Sequence, residues 1–276
     1  MTHIILLAIV GFVGGAFGSM VGLGGGVFII PALTLFLGVP IHAAISASLV
    51  AVVATSTAGS IAYVRQELTN FRLAVSLETA LTVGALTGGF VGAMLDREVL
   101  SAVFGGVMIA VSVYMATSRK ATPANPEEGA DLGRLGAGYY DSRAGHPVRY
   151  RVHRLPIGLV TGLVAGNVSG LLGVGGGFLT VPTMRLVMGV PMRAAVATSS
   201  LMLGVTACAG AIVYFARGLV DPTVAVPVVL GVTAGALLGS RLALRVRSSV
   251  LVVVLSVVLF ALSVQMILSA AGIRLR

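Results

Sequence analysis

Charge is what this chain has least of. Only 10% of its 276 residues are Asp, Glu, Lys or Arg, against about 25% in an ordinary soluble domain. Tryptophan is absent, so any aromatic anchors at a membrane interface must come from Tyr and Phe. The single cysteine, Cys208, sits in an apolar run; it excludes a disulfide within the chain and reads as a packed small residue. With four His and one Cys there is no cluster at zinc spacing, and neither a metal nor a cofactor is expected. The sequence also lacks a serine elbow, a His-x-x-x-His pair and paired acids, so no catalytic constellation points to an enzyme. What fills the chain instead is apolar: 57% hydrophobic residues and a mean hydropathy of +1.04. That balance excludes a soluble globular enzyme and a disordered chain, and implies a polytopic membrane protein.

The formal net charge of +9 does not indicate nucleic acid. Most basic residues flank apolar runs, where they meet lipid headgroups and set orientation. The charge is densest between Arg119 and Arg154, inside the one long polar segment, residues 117–153. Its Pro123, Pro126, Glu127, Glu128 and Gly129 read as a mobile linker, and its basic excess places it on the cytoplasmic side. The apolar run from Ile4 has no basic residue before it and is expected to be a first membrane helix, not a removed leader.

Apolar stretches fall at about 4–22, 27–37, 42–64, 71–95 and 98–116, and again at 155–172, 178–188, 194–216, 222–244 and 249–271. Most approach the ~20 residues that a spanning helix needs. The stretches 27–37 and 178–188 are about half as long; each follows a glycine cluster and precedes Gly-x-Pro. A shift of 151 residues superposes the halves without a gap. Gly22, Gly24, Gly25 and Gly26 fall on Gly173, Gly175, Gly176 and Gly177; Pro31 falls on Pro182; Gly38-Val39-Pro40 falls on Gly189-Val190-Pro191; Ser48, Thr55 and Tyr63 fall on Ser199, Thr206 and Tyr214. The fold class is therefore all-α: two internal membrane repeats, 1–116 and 154–276, joined by the linker 117–153, with broken or re-entrant short helices.

Counting the short pieces as crossings gives five per half and inverted repeats; treating them as re-entrant gives four and parallel repeats. With the linker inside, five crossings place Arg65, Arg72, Arg185, Arg193, Arg241, Arg245 and Arg247 inside, and leave Arg97, Arg217, Arg274 and Arg276 outside. The inside-positive choice is five plus five, inverted, with both termini outside.

The two glycine clusters are the leading binding candidates. Unwound backbone is tolerated in a membrane only where protein covers it or it lines a cavity, and a helix that follows it presents free N–H groups and a positive dipole end to an anion. Gly22, Gly24, Gly25, Gly26, Gly173, Gly175, Gly176 and Gly177 are accordingly expected to bind substrate. For Gly11, Gly15, Gly84, Gly88, Gly235 and Gly239 close helix packing is the better account. Hydroxyls at equivalent positions, Ser48 and Ser199, the neighbouring Ser200, and Asn167 and Ser169 before the second cluster, are candidate donors to the anion; the alternative is bonding within or between helices. Glu78 lies inside an apolar run opposite Val229 in the repeat. It is a candidate carrier of a coupling proton or, at shallow depth, a partner of Arg72. His42 and Arg193, equivalent by the repeat, could gate or attract an anion at each mouth; the alternative is a snorkelling side chain.

The doubled Gly-x-Gly-Gly-Gly-x(4)-Pro pattern at 22–31 and 173–182, each copy followed by Gly-x-Pro and a helix of small residues, resembles the TauE/SafE family of sulfite exporters over nearly all the chain outside 117–153. That resemblance implies a bacterial plasma (inner) membrane carrier of sulfite, thiosulfate or an organosulfonate, often an exporter. The residues alone support an anion site between two clusters. An anion channel and a non-transporting scaffold or sensor are the rival functions.

Overall fold

The computed structural model describes residues 2–117, 133–141, 145–243 and 260–266. Nine helices and one hairpin cover most of them: α1 (Thr2–Val21), α2 (Gly26–Pro31), α3 (Ile41–Arg65), α4 (Phe71–Gly92), α5 (Arg97–Thr117), β1 (Ala137–Asp141), β2 (His146–Tyr150), α6 (Leu155–Leu172), α7 (Gly177–Leu186), α8 (Met192–Ala216) and α9 (Pro222–Ala243). Residues 260–266 are also helical; the rest of the stretch expected at 249–271 lies outside the described residues. Six helices (α1, α3, α4, α6, α8 and α9) are long and apolar enough to cross a membrane. Large apolar side chains such as Val75, Leu230 and Phe215 point outward from the bundle, as a lipid-facing surface requires. The chain is an all-α, multi-pass membrane protein.

Local chemistry explains the broken pieces. Pro31 has no N–H and crowds the carbonyl one turn back; α2 ends there, and Ala32–Phe36 continue as a wider π-helical turn. Beyond each short helix the chain turns at a glycine with positive φ, Gly38 (64°) after the π turn and Gly189 (75°) after α7. The following residue then closes the helix end, Val39 N–H donating to Leu33 O (3.0 Å) and Val190 N–H to Met184 O (2.8 Å).

Inter-helix contacts fix the directions of the long helices. Between α1 and α9, Gly11 meets Val228, Gly15 meets Val232 and Gly235 meets Phe12, so the two run parallel. Between α4 and α6, Gly84 meets Leu163, Gly88 meets Asn167 and Gly170 meets Ala85, also parallel. These are the two most extensive helix pairs. Helix α8 runs with α4: Asn70 N–H donates to Thr198 Oγ1 (3.0 Å) near one end, and Gly89 meets Gly210 near the other. Helix α3 runs with α9: Ser46 Oγ donates to Leu219 O (2.9 Å) at one end, while at the other Ser19 touches both Gly239 and Gly59. Helices α3 and α8 oppose each other, since Ser56 Oγ donates to Ser200 O (2.6 Å) and Leu49 packs on Gly210.

Two parallel triads result, α1–α3–α9 and α4–α6–α8, running in opposite directions. Each helix of one triad stands 151 residues from a helix of the other. Helices α1 and α3 are parallel although joined by a single connection, so residues 22–40, with α2 and the π turn, must return through the bundle. The glycines singled out as packing residues do lie at helix–helix contacts. No hydrophobic effect drives helices together in lipid, and close backbone approach takes its place.

The segment 117–153 is not wholly unstructured, contrary to its reading as a mobile linker. Within it β1 and β2 form an antiparallel hairpin, Tyr139 opposite Val148 and Ala137 opposite Tyr150. The sequence alternates there, and Tyr139, Val148 and Tyr150 are buried against Leu73, Met184 and Met188. Residues 118–132 and 142–144 lie outside the described set. Asn70 ties the hairpin to the bundle: its side chain caps α4 by accepting from Leu73 N–H (3.1 Å) and donates to Leu135 O (2.8 Å) and Tyr150 Oη (3.3 Å). Burial pushes the Tyr150 hydroxyl up to about 12, so it keeps its proton while accepting from Asn70. The residue 151 positions on, Asp221, caps α9 within its own first turn, its Oδ1 accepting from Thr223 N–H (2.9 Å) and Thr223 Oγ1 (2.7 Å).

Side chains cannot enter the glycine seams. Gly166→Val and Gly231→Val each drive a side chain into a facing carbonyl, Leu81 O and Ala8 O, and should cost about 2–3 kcal/mol by overpacking. Gly106→Ala in α5, with nothing within 4 Å, should stay within about 0.5 kcal/mol of the parent. Thermal unfolding of the detergent-solubilised protein measures all three.

Candidate functional site

The two glycine clusters flank the point where α3 and α8 cross. Val52 and Leu203, equivalent by the 151-residue offset, sit at that crossing, and Gly24 and Gly175 each touch both. Only glycine suits much of this backbone: Gly22, Gly24 and Gly25 have φ of 74°, 82° and 79°, and Gly173 and Gly175 have 69° and 76°. Gly176 departs from its counterpart Gly25, with φ of −62°.

The clusters meet directly. A Cβ on Gly26 would strike the Gly173 carbonyl, and one on Gly177 would strike the Gly22 carbonyl. Across this contact Ser48 Oγ donates to Gly173 O (2.7 Å) and Ser199 Oγ to Gly22 O (3.4 Å). Each serine thus serves the opposite half of the chain. Thr180 Oγ1 lies 3.2 Å from Ser199 Oγ. On the donor side, the N–H groups of Gly24, Gly25 and Gly26, and of Gly175, Gly176 and Gly177, reach no backbone carbonyl among the described residues. Helices α2 and α7 both begin here, so two helix starts face the centre of the bundle.

The structure brings together Gly22–Gly26, Gly173–Gly177, Ser48 and Ser199. It sets the other candidates apart. Asn167 lies on the α4–α6 seam, its side-chain amide donating to Thr87 Oγ1 (3.2 Å). His42 opens α3 with Nε2 3.1 Å from Leu95 O. Arg193 opens α8, at the opposite end of the bundle from His42 because α3 and α8 are antiparallel. Glu78 does not pair with Arg72: its Oε1 accepts from Thr206 Oγ1 (2.8 Å) and Thr82 Oγ1 (3.2 Å). Thr55 and Thr57 bond the carbonyls of their own helix, at 2.9 Å each. Cys208 is exposed rather than packed.

Two of the hydroxyls marked in the sequence, both without a repeat mate, stand out. Ser200 Oγ and Ser169 Oγ are buried without a hydrogen-bond partner, and Ser200 lies beside Gly22. The offset places Leu49 and Gly18 opposite them, so the repeat carried no signal for either. A membrane-helix serine ordinarily bonds a carbonyl of its own helix.

Comparison with known proteins agrees with this architecture. Residues 7–266 match the sulfite exporter TauE/SafE family. The chain is 28% identical over 270 residues to the probable membrane transporter protein YunE of Bacillus subtilis, covering 95% of this chain and 97% of that one. It is 30% identical over 240 residues to a probable membrane transporter protein of Xylella fastidiosa, covering 87% and 84%. It is 27% identical over 215 residues to the probable membrane transporter protein MJ0441 of Methanocaldococcus jannaschii, covering 76% and 71%. No solved structure matches it. The chain belongs to the TauE/SafE family.

The serine bridges are unequal in length, and their removal should differ accordingly. Ser48→Ala leaves the buried Gly173 carbonyl without its 2.7 Å donor and should destabilise the protein by about 1–2 kcal/mol. Ser199→Ala, losing a 3.4 Å contact, should cost less. Thermal unfolding in detergent compares the two.

Proposed function

We propose that this TauE/SafE family member is a secondary transporter that carries a small sulfur-containing anion, such as sulfite, thiosulfate or an organosulfonate, outward across the plasma membrane. The observation that carries the proposal is the pair of glycine turns at the α3–α8 crossing, with backbone N–H groups that reach no carbonyl among the described residues. An anion accepts from such groups without the desolvation cost of a buried cation. Gly24–Gly26 and Gly175–Gly177 supply the N–H donors. Ser48 and Ser199 turn their hydroxyls from the opposing carbonyls to the anion as the turns part. Ser169 and Ser200 add two hydroxyls already lacking partners. The family's name supports a sulfite-like substrate and export, and the relatives' names support membrane transport.

In this proposal the units 1–116 and 154–276 are inverted repeats, each with five passes counting the short return. The antiparallel course of α3 and α8 and the swapped triads support it. Arg65, Arg72, Arg185, Arg193 and Arg241 gather at the end of the bundle that holds the hairpin, which is assigned to the cytoplasm. Access alternates as one half rocks against the other around the crossing. The direct contact between the turns favours a carrier over an open channel.

Labelled sulfite flux into proteoliposomes, with thiosulfate, sulfoacetate and sulfate as competitors, tests the proposal. Saturable flux with counterflow is expected. Non-saturating conductance would replace the carrier with a channel, and no flux of any of these anions would overturn the reading. Gly176→Ala is the sharpest variant: φ at Gly176 is ordinary for alanine, and the added Cβ meets neighbours only at 3.2 Å and beyond. It should fold and lose flux roughly tenfold, the effect of about 1.4 kcal/mol on a barrier.

A further inference from the structure

We propose that Glu78 is the site at which one proton travels with the anion. The inference rests on the anion-carrier reading above and adds the ion that drives it.

Glu78 lies seven residues into α4, about 10 Å along the axis at 1.5 Å per residue. Its carboxyl is held asymmetrically. Oε1 accepts from Thr206 Oγ1 (2.8 Å) and Thr82 Oγ1 (3.2 Å), whereas Oε2 is buried and has no partner. Thr206 also lies 3.2 Å from Met202 O, and its one proton can serve only one of the two acceptors. A permanent carboxylate in this place would have at most two neutral donors, both on one oxygen. That is poor compensation for a charge inside a membrane.

Among the described residues no cation on the helices packed against Glu78 answers the charge. Helices α6 and α8 pack against α4. Between Leu155 and Leu172, α6 has no titratable residue. Helix α8 offers Arg193 in its first turn, Cys208, and Tyr214 near its end. Cys208 is exposed, and Tyr214 Oη donates to Leu171 O (3.2 Å). Arg72 on α4 itself and Arg185 on α7 stand near helix ends. A metal cation would need several oxygens in a closed shell. The site offers one carboxylate and two hydroxyls, both spent on Oε1; a proton needs only Oε2.

Position links the carboxyl to the glycine turns. Thr206 is one helical turn beyond Leu203, which touches Gly24 and Gly175, and Glu78 is one turn before Leu81, which touches Gly176. Any parting of the turns moves the side chains that enclose Oε2. The coupled step is a binding step: Oε2 takes a proton from water on one side as the anion binds, and releases it to water on the other side as the anion leaves.

The test uses the purified full chain in proteoliposomes, with labelled sulfite inside and out and a pH difference of one unit. One proton per bisulfite anion, an electroneutral pair, predicts about tenfold more bisulfite on the alkaline side, bisulfite being calculated from the label and the pH of each compartment. Glu78→Gln keeps the shape and the threonine contacts; there the anion should equilibrate more slowly and to a ratio near one. Glu78→Asp, which keeps a carboxyl, should restore accumulation. Infrared spectra of wild type and Glu78→Gln provide a readout independent of transport: a protonated-carboxyl band that disappears at alkaline pH should be missing from the variant. Equal accumulation by wild type and Glu78→Gln, or accumulation driven by Na⁺ and not by pH, overturns the proposal. Saturable sulfite exchange that ignores pH overturns it too, yet leaves the carrier reading standing. Absence of any anion exchange sinks both.

Discussion

The rest of the structure depends on one constraint: unwound backbone buried in lipid must find its partners inside the protein. Two such turns, Gly22–Gly26 and Gly173–Gly177, interrupt the bundle at its centre. Each is covered partly by its own half, as where Gly25 packs on Gly14 and Gly176 on Ala165, and partly by the other. Ser48 reaches Gly173, Ser199 reaches Gly22, and the side chains of Val52 and Leu203 each touch both turns at the crossing. The two halves are therefore not neighbours that happen to touch; the polar groups of one complete the other.

The same reciprocity sets the outer packing. Helix α1 lies on α9 and α6 on α4, so the first long helix of each half is held by a helix of the other. Glycine makes the exchange possible, since Gly11, Gly15, Gly231 and Gly235 on one seam and Gly84, Gly88, Gly166 and Gly170 on the other let backbones meet. Lipid-soluble helices gain little by mere burial of apolar surface, and the stabilisation comes from these short-range contacts and a few buried hydroxyl bonds.

Much of this was legible in the sequence. Helix α6 falls at 155–172 as its hydropathy indicates, and the glycine turns and Pro31 mark the breaks. The seam glycines follow from small-residue spacing. What the sequence could not express was pairing over long separations. The bond from Thr206 to Glu78 spans 128 residues, and no local pattern announces it; the nearby Arg72 was the more obvious partner. Ser200 was one hydroxyl among several in its helix, and with Leu49 opposite it in the repeat nothing in the sequence set it apart; only the fold shows its Oγ buried without a partner. Asn167 looked close to a glycine turn along the chain, but helical rotation carries it to the α4–α6 seam. The hairpin was hidden because two five-residue strands among glycine and arginine resemble a polar linker until Tyr139, Val148 and Tyr150 find a surface to cover.

The hairpin has a consequence for energetics. Two halves of like backbone that exchange roles would give a transporter whose two end states are nearly degenerate. The β1–β2 hairpin breaks that degeneracy, because it covers one end of the bundle and is tied there through Asn70. Separating the helices at the hairpin end must strain or release the bonds from Asn70 to Leu135 and Tyr150, each a contribution of about 1 kcal/mol. Asp221, in the equivalent place, caps its own first turn. A difference of about 1.4 kcal/mol is tenfold in population, so on the alternating-access reading proposed above this small strap is enough to set which way the resting ensemble faces.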